Sequence, residues 1–284
     1  MKVFLTGVSG QLGHDTAAEL ERRGIAYCGV SSAQLDITDR EAVFTALRQY
    51  RPDAVIHCAA FTNVDQAEDD EEYCSAVNAY GTRTLAEACW ELDAKLLYVS
   101  TDYVFSGEKN GPYEVGDPAG PLNVYGRTKF LGEQYVQELL SRYYIVRTSW
   151  LIGTRGKNFV KTILRLSEDH DTLRVVHDQF GSPTFTADLA PLLVDMITSD
   201  HFGVYHATNE GGCTWADLAE EICRIKERNT RIMPVTSAEY GAKAVRPGNS
   251  LLSKHSLDAA GFRRLPDWKT SLKHYLTTLN ESAS

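Results

Sequence analysis

Tyr125 and Lys129 stand four residues apart near the start of a stretch with helical spacing, Asn123–Ser141, which puts both side chains on one face, a turn apart. A free phenol has a pKa of about 10 and is a poor proton donor or acceptor near neutrality. An adjacent ammonium favours the phenolate, so Lys129 is expected to lower the Tyr125 pKa. The same ammonium can hydrogen-bond a ribose hydroxyl. Tyrosine and lysine at this spacing also occur on ordinary solvated helix faces, so the pair gains meaning from its company. The segment Val99-Ser100-Thr101-Asp102-Tyr103-Val104-Phe105 ends an apolar strand and offers hydroxyls, from Ser100 or Thr101, that can hydrogen-bond a carbonyl.

A third feature lies at the N-terminus. The apolar run Val3–Thr6 leads into Gly7-Val8-Ser9-Gly10-Gln11-Leu12-Gly13 and then into a helical pattern. This is a GxxGxxG turn between strand and helix, the context in which such glycines cradle a dinucleotide. Gly7 permits the tight turn, Gly10 lets backbone N–H groups approach a pyrophosphate, and Gly13 lets helix and strand pack closely. Gln11 and Leu12 open the helix whose N-terminal N–H groups face the phosphates. The second strand ends in Val30-Ser31-Ser32, with neither an acidic residue for a ribose 2′-hydroxyl nor an arginine for a 2′-phosphate. Ser31 permits the phosphate, and Asp36-Ile37 are placed to meet the adenine edge. NADPH and NADH therefore both stand as cofactor. Cys58-Ala59-Ala60-Phe61, after the third strand, has small residues at Ala59 and Ala60 that let the backbone run close to the same ligand.

These residues need a sheet to bring them together, and the first half of the chain supplies one. Short apolar segments (Val3–Thr6, Ala26–Val30, Ala54–His57, Lys95–Val99, Tyr144–Arg147) alternate with helical ones (Leu12–Arg23, Arg40–Tyr50, Tyr73–Leu92, Asn123–Ser141). Strands alternating with helices of this length predict right-handed crossovers and a parallel, doubly wound α/β sheet of the Rossmann type. In such a sheet ligands bind beyond the carboxyl ends of the strands, where the glycine turn, Thr101 and Tyr125 converge. After about residue 150 the rhythm loosens. Helices are expected at Phe159–Leu166, Ala187–Thr198, Trp215–Lys226 and Ser271–Leu279, with strands at Leu173–Val176 and Gly203–His206. The division expected is a dinucleotide-binding domain over 1–150 and a smaller α/β substrate lobe over 151–284, with some chain crossing back to the sheet.

With 29 basic and 38 acidic residues the formal charge is −9, which argues against a nucleic-acid surface. No apolar run reaches the roughly 18 residues of a membrane span, and the N-terminal segment is too short for a signal peptide. A cytoplasmic protein is expected. The six cysteines form no CxxC pair and read as buried free thiols, and His14, His57, His177 and His206 are not at metal-ligand spacing.

The glycine turn, the strand-end Ser-Thr-Asp-Tyr-Val-Phe, the Tyr-x-x-x-Lys pair, Arg147-Thr148-Ser149-Trp150, Asp178-Gln179-Phe180-Gly181-Ser182-Pro183-Thr184 and Arg246-Pro247-Gly248-Asn249-Ser250 occur in this order along nearly the whole chain. In this the sequence resembles the extended short-chain dehydrogenase/reductases, and among them the dTDP-4-dehydrorhamnose reductase family. The resemblance implies reduction of a dTDP-linked 4-keto-6-deoxy sugar by hydride from NAD(P)H. It implies Thr101, Tyr125 and Lys129 as the catalytic three, with Asp102 beside the substrate and Trp150 against the sugar ring. Arg246 becomes the candidate for the substrate's diphosphate, because a guanidinium binds phosphate bidentately. The Asp178–Thr184 segment reads as a turn shaping the nucleotide pocket. Some relatives hold Mg²⁺ at a dimer interface through acidic side chains. Asp15 and Asp188 lie in comparable segments, but aspartate is shorter than the glutamate expected there, so no metal is assigned and monomer and homodimer both stay open. Two other readings share the fold: an epimerase or dehydratase that retains NAD, and a non-catalytic NADP-binding regulatory subunit resembling the β subunit of methionine adenosyltransferase.

Overall fold

A computed structural model describes residues 1–281. Five segments read as strands in the sequence form a single parallel sheet: β1 (Lys2–Thr6), β2 (Ala26–Val30), β3 (Ala54–His57), β4 (Lys95–Thr101) and β5 (Tyr143–Thr148). A sixth strand, β6 (Gly203–His206), pairs with β5 and completes the order β6-β5-β4-β3-β1-β2. The chain order reverses beside β1, between β2 and β3, which opens a crevice at the carboxyl edge.

Alternation along each strand buries both faces of the sheet. Val3, Leu5, Ile56, Leu97, Val99 and Val146 pack on the Gln11–Arg22 and Thr186–Thr198 helices. Phe4, Val55, Leu96, Tyr98 and Ile145 pack on the other side, against the Arg40–Tyr50, Thr82–Leu92 and Val124–Leu139 helices. Period-two alternation in which both sets are apolar is what a doubly covered parallel sheet requires. A second core, with Val160, Ile163, Leu218, Ile222, Trp268 and Leu272, belongs to the C-terminal lobe. There the parallel pair Thr172–Val176 and Arg231–Val235 is flanked by the Phe159–Asp169 and Trp215–Ile225 helices.

The long helix expected over Tyr73–Leu92 is not continuous α-helix. It runs as α-helix at Glu71–Ser75, as π-helix at Ala76–Gly81 and as α-helix again at Thr82–Leu92. The buried Asn78 side chain explains the interruption. Its amide donates to the Phe61 carbonyl at 3.0 Å and to Thr128 Oγ1 at 3.2 Å, and accepts from the Phe61 N–H at 2.8 Å. The Asn78 carbonyl accepts from the hydroxyls of Thr82 and Tyr98 at 2.7 and 3.3 Å, so it serves the core as well as the helix. Wider π turns of this kind recur next to functional sites.

The helix carrying Tyr125 and Lys129 begins at Val124 because Asn123 caps it, its side chain accepting from the Gly126 N–H at 2.8 Å. Close approach then fixes its depth. A Cβ at Gly132 would lie 2.7 Å from the Asn78 carbonyl oxygen, so only glycine lets this helix reach the π segment and β4.

Candidate active site

The carboxyl edge of the sheet opens into a cleft of about 620 Å³ lined by Gly7, Gly10, Gln11, Leu12 and Gly13 on one side and by Thr101, Asp102, Tyr125, Lys129 and Trp150 on the other. Ala59 and Ala60 line it and also a smaller adjoining cavity of about 190 Å³, whose walls include Ser31, Asp36 and Ile37. Of the residues assigned in the sequence to catalysis, coenzyme or substrate, Arg246 alone lies outside these two linings.

The glycine turn is shaped to receive an extended ligand close to its backbone. Gly7 has φ +73°, and a Cβ there would lie 2.7 Å from the Ala59 nitrogen. A Cβ at Gly13 would overlap the Gly7 carbonyl oxygen and lie 2.7 Å from its carbonyl carbon. The turn and the first helical turn are therefore in backbone contact, with N–H groups left at the helix N-terminus as P-loop-like donors for a diphosphate. In the smaller cavity Ser31 donates to Gln34 Oε1, and Asp36 accepts from the backbone and hydroxyl of Thr38 at 2.9 and 2.8 Å. Asp36 is thus held in a local turn, and Ile37 presents a buried apolar wall. These walls fit a dinucleotide: a backbone cradle for phosphates and a partly apolar chamber for a base.

At the other side Thr101 ends β4. Its hydroxyl donates to Asp102 Oδ1 at 3.0 Å and accepts from the Tyr103 N–H at 3.2 Å. Asp102 is buried, and among the described residues its Oδ2 has no hydrogen-bond partner. Burial pushes its pKa up to about 7, against the lowering effect of the Ser250 and Thr101 hydroxyls. Lys129 Nζ donates to the Val99 carbonyl at 2.8 Å and lies 4.1 Å from the centre of the Tyr98 ring. Burial pulls its pKa down to about 7, while Glu133, one turn further along the helix, acts the other way.

Tyr125 does not behave as its spacing from Lys129 led us to expect. Its pKa is raised, by burial first, with Asp102 and Cys74 adding to the rise and the Thr101 hydroxyl opposing it. Lys129 Nζ instead donates to the Val99 carbonyl. The phenol of the ligand-free site is protonated at neutral pH.

Trp150 has φ +46°, rare for a non-glycine residue and costing about 1–2 kcal/mol. Two contacts hold it there. Its indole stacks on that of Trp215 with ring centroids 3.6 Å apart, and its carbonyl accepts from the Thr184 N–H at 3.1 Å. Trp215 also lines the cleft. The Asp178–Thr184 segment provides the seat: a Cβ on Gly181 would lie 2.9 Å from the Trp150 ring. Asp178 and Gln179 meanwhile hydrogen-bond Ser237 and anchor the segment.

Arg246 lies outside the cleft lining. Its guanidinium makes a bidentate pair with Asp65, at 3.1 and 2.8 Å, and donates to the Ala244 carbonyl at 3.0 Å. The two acidic side chains weighed for Mg²⁺ are engaged in hydrogen bonds within the chain. Asp15 accepts from the Thr186 hydroxyl, and Asp188 Oδ2 accepts from Asn209 Nδ2 at 2.8 Å and Ser271 Oγ at 2.6 Å. Of the histidines, His57 and His206 are buried and hydrogen-bonded within the core. The cysteines are free, four buried and two, Cys28 and Cys58, partly exposed.

The sequence reading passed over several site residues. Glu133 was within reach of it, one turn beyond Lys129. It accepts from Ser100 Oγ at 2.5 Å and from Arg147 at 2.7 Å, so a buried ion pair braces the helix that carries Tyr125 and Lys129 against the ends of β4 and β5. Asn78, Trp215 and Lys157 carried no local signal, because their roles depend on packing between segments far apart in the chain.

A parallel sheet with a glycine cradle at its switch point and a hydroxyl, a phenol and an amine opposite defines a dinucleotide-dependent reductase-type fold. The family described as "RmlD substrate binding domain" matches residues 1–281, and the chain belongs to it. It is 45% identical to the dTDP-4-dehydrorhamnose reductase of Streptomyces griseus over 276 residues, 95% of this chain and 91% of that one. Its fold superimposes on a dTDP-4-dehydrorhamnose reductase from Clostridium acetobutylicum with a TM-score of 0.96 at 39% identity, covering 99% of this chain and 100% of that one. The Bacillus anthracis dTDP-4-dehydrorhamnose reductase, in complex with NADP, gives a TM-score of 0.95 at 39% identity over 98% of this chain and 99% of that one.

Proposed function

We propose that this protein reduces the C4 keto group of a dTDP-4-dehydro-6-deoxy sugar, dTDP-4-dehydro-L-rhamnose to dTDP-L-rhamnose, in nucleotide-sugar synthesis for polysaccharide. The observation that carries this reading is the convergence of Thr101, Tyr125 and Lys129 on one cleft with the glycine cradle. NAD(P)H, when bound, supplies the hydride. Gly7, Gly10, Gln11, Leu12 and Gly13 hold its diphosphate, Ala59 and Ala60 pass beside it, and Ser31, Asp36 and Ile37 enclose its adenosine.

The chain's own residues manage the oxygen of the substrate. Thr101 releases Asp102 to donate its hydroxyl hydrogen to the C4 carbonyl oxygen, which stabilises the negative charge that builds there. Tyr125 keeps its proton at neutral pH because its surroundings disfavour phenolate, and gives that proton to the C4 oxygen as it becomes an alkoxide. Lys129 holds a ribose hydroxyl and, as ammonium, stabilises the phenolate left behind. Asp102 bounds the substrate, and Trp150, stacked on Trp215, offers an apolar face to the sugar ring. The protein works in the cytoplasm, as a monomer or homodimer, with no nucleic-acid partner.

The test is Tyr125→Phe, assayed by loss of NADPH and NADH absorbance with dTDP-4-keto-6-deoxy sugars and by identification of the product. The variant is expected to fold as the parent does and to lose about 10²–10⁴ in turnover, the usual worth of a positioned proton donor. Turnover within a few-fold of the parent would show that the proton comes from elsewhere. Stoichiometric NAD that stays bound and no net consumption of added coenzyme would instead mark an epimerase or dehydratase.

A further inference from the structure

Both ligands of the proposed reaction carry a diphosphate, yet the cleft is poor in cations. Among the described residues that line it, Lys129 and Lys157 are the only lysines or arginines. Lys129 Nζ is committed to the Val99 carbonyl, and Arg246 is paired with Asp65 outside the lining. Lys157 is exposed, and among the described residues no hydrogen bond or ion pair engages it. One ammonium in a protein of formal charge −9 is therefore left facing the space the polyanions must enter.

The segment that carries Lys157 is built to stay there. Gln11, in the glycine turn, accepts through Oε1 from the Gly153 N–H at 2.8 Å and from Asn158 Nδ2 at 3.0 Å. The Gly153 carbonyl in turn accepts from Asn158 Nδ2 at 2.8 Å and from the Tyr275 hydroxyl at 2.9 Å. A Cβ on Gly153 would lie 2.9 Å from the Gln11 Cβ, so the loop's base is pressed against the first helix. At its tip Gly156 turns with φ +64°, and Lys161 Nζ donates to the Thr154 and Gly156 carbonyls at 2.6 and 3.1 Å. Asn158 also caps the following helix, accepting from the Lys161 N–H at 3.0 Å. The base is thus latched at both ends to the element that forms the phosphate cradle, and Gly156 and Lys157 project from it into the cleft lining.

We infer that Gly153–Asn158 is a diphosphate-binding loop, in which Lys157 hydrogen-bonds and neutralises a nucleotide diphosphate held in the cleft. This deepens the reductase reading and rests on it. It also gives the Gln11 side chain a purpose other than direct contact with the coenzyme: its amide ties the loop to the glycine turn. The diphosphate belongs either to the dinucleotide or to the sugar nucleotide, and the two are separable by experiment.

The full-length protein and its Lys157→Gln and Arg155→Gln variants are titrated calorimetrically with NADPH and, separately, with dTDP, at low and moderate salt. Lys157→Gln is expected to weaken one or both by about tenfold, the effect of losing one charge-assisted hydrogen bond to an anion. It is also expected to flatten the salt dependence of that ligand's binding. Weaker dTDP binding alone assigns the loop to the sugar nucleotide, weaker NADPH binding alone to the coenzyme, and loss of both to a loop shared by the two; each upholds the inference. Arg155 does not line the cleft, and Arg155→Gln is expected to change either Kd by less than about twofold. Unchanged affinity for both ligands in Lys157→Gln, or an equal loss in Arg155→Gln, overturns the loop assignment. If the parent protein binds neither NADPH nor dTDP, the reductase reading falls as well, so the two failures are distinct.

Discussion

Adding a single methyl group at Gly13 tests whether the backbone contact between the first helix and the glycine turn is what shapes the coenzyme site. The new Cβ would overlap the Gly7 carbonyl oxygen, approach its carbonyl carbon to 2.7 Å and the Val8 Cα to 2.9 Å. All three are backbone atoms, so no side chain can swing away. The helix must rise from the turn by about an ångström to restore ordinary contact. Overpacking of this kind costs about 1–3 kcal/mol, and at about 2–4 °C per kcal/mol for a chain of this size Tm should fall by roughly 2–12 °C. The same displacement moves the N–H groups of the cradle. Losing one hydrogen bond to a charged group, worth about 1.5–3 kcal/mol, weakens coenzyme binding by roughly 10- to 150-fold. Gly10→Ala and Gly24→Ala separate the two effects. Gly10 has only the Gly7 carbonyl oxygen near its Cβ position, at 3.3 Å, and it lines the cleft. Its alanine should leave Tm close to the parent's while intruding on the ligand. Gly24 has φ +66° and open space, so its alanine should lower stability by about 1–2 kcal/mol and leave binding alone. Thermal unfolding with NADPH titration on all three variants decides the matter. Parent-like coenzyme affinity in Gly13→Ala, or a Tm loss in Gly10→Ala equal to that in Gly13→Ala, would refute the reasoning.

Acid should unfold the protein through two buried neutral histidines. His57 and His206 have pKa values lowered to about 3 by burial, with Lys129 and Arg147 respectively adding to the effect, whereas unfolding returns each to near 6.5. The unfolded chain therefore binds two more protons between these values, and their contribution, complete at pH 7, is lost as pH falls from about 6.5 towards 3. Asp102, raised to about 7, opposes them by one proton over most of this range. The net of one proton predicts a loss of about 1.4 kcal/mol per pH unit between pH 6.5 and 4.5, read from urea midpoints; stability that is flat or rising over that range would contradict it. Glu133→Gln should destabilise by about 3–5 kcal/mol, because it leaves the Arg147 guanidinium buried without its carboxylate. A chemical-denaturation loss under about 1 kcal/mol would mean that this pair does not brace the site.

What the sequence made legible was what periodicity and short spacing encode. The strands from Val3 to Arg147 declared themselves through apolar runs, and Gly7, Gly10 and Gly13 through their place between strand and helix. Even β6, far along the chain, was visible as Gly203–His206, although its seat beside β5 was not. The Tyr73–Leu92 segment was misread as one α-helix because its apolar residues continue without a break signal across Ala76–Gly81. Nothing local announces that Asn78 must satisfy Phe61 and Thr128 at once. The Asp178–Thr184 segment was read as a pocket-shaping turn, and in the fold its Gly181 clears the space into which the Trp150 indole settles against Trp215. Arg246 looked like a phosphate ligand by residue type, and only the fold sets Asp65 opposite it. Spacing alone could say that Tyr125 and Lys129 share a helix face, but not how deeply that face is buried.

That depth changes the logic of the proposed chemistry. An acidified phenol would suit an enzyme that removes a proton from an alcohol, since it would spend its time as the base. Here burial raises the Tyr125 pKa and lowers that of Lys129 to about 7, so the phenol keeps its proton and the lysine holds its own less firmly than in water before a ligand arrives. A neutral phenol is the form that donates, and donation is what reduction of a carbonyl demands. A negative charge beside Lys129 favours its ammonium form, and one appears there when Tyr125 gives up its proton. Glu133, bonded to Arg147 and Ser100 below it, already favours the ammonium and spares it part of the cost of burial. The interaction inferred from spacing thus belongs to the charged state formed during turnover. In the resting site Lys129 Nζ donates to the Val99 carbonyl, so the attraction between phenolate and ammonium is realised after proton transfer and lowers the barrier to it.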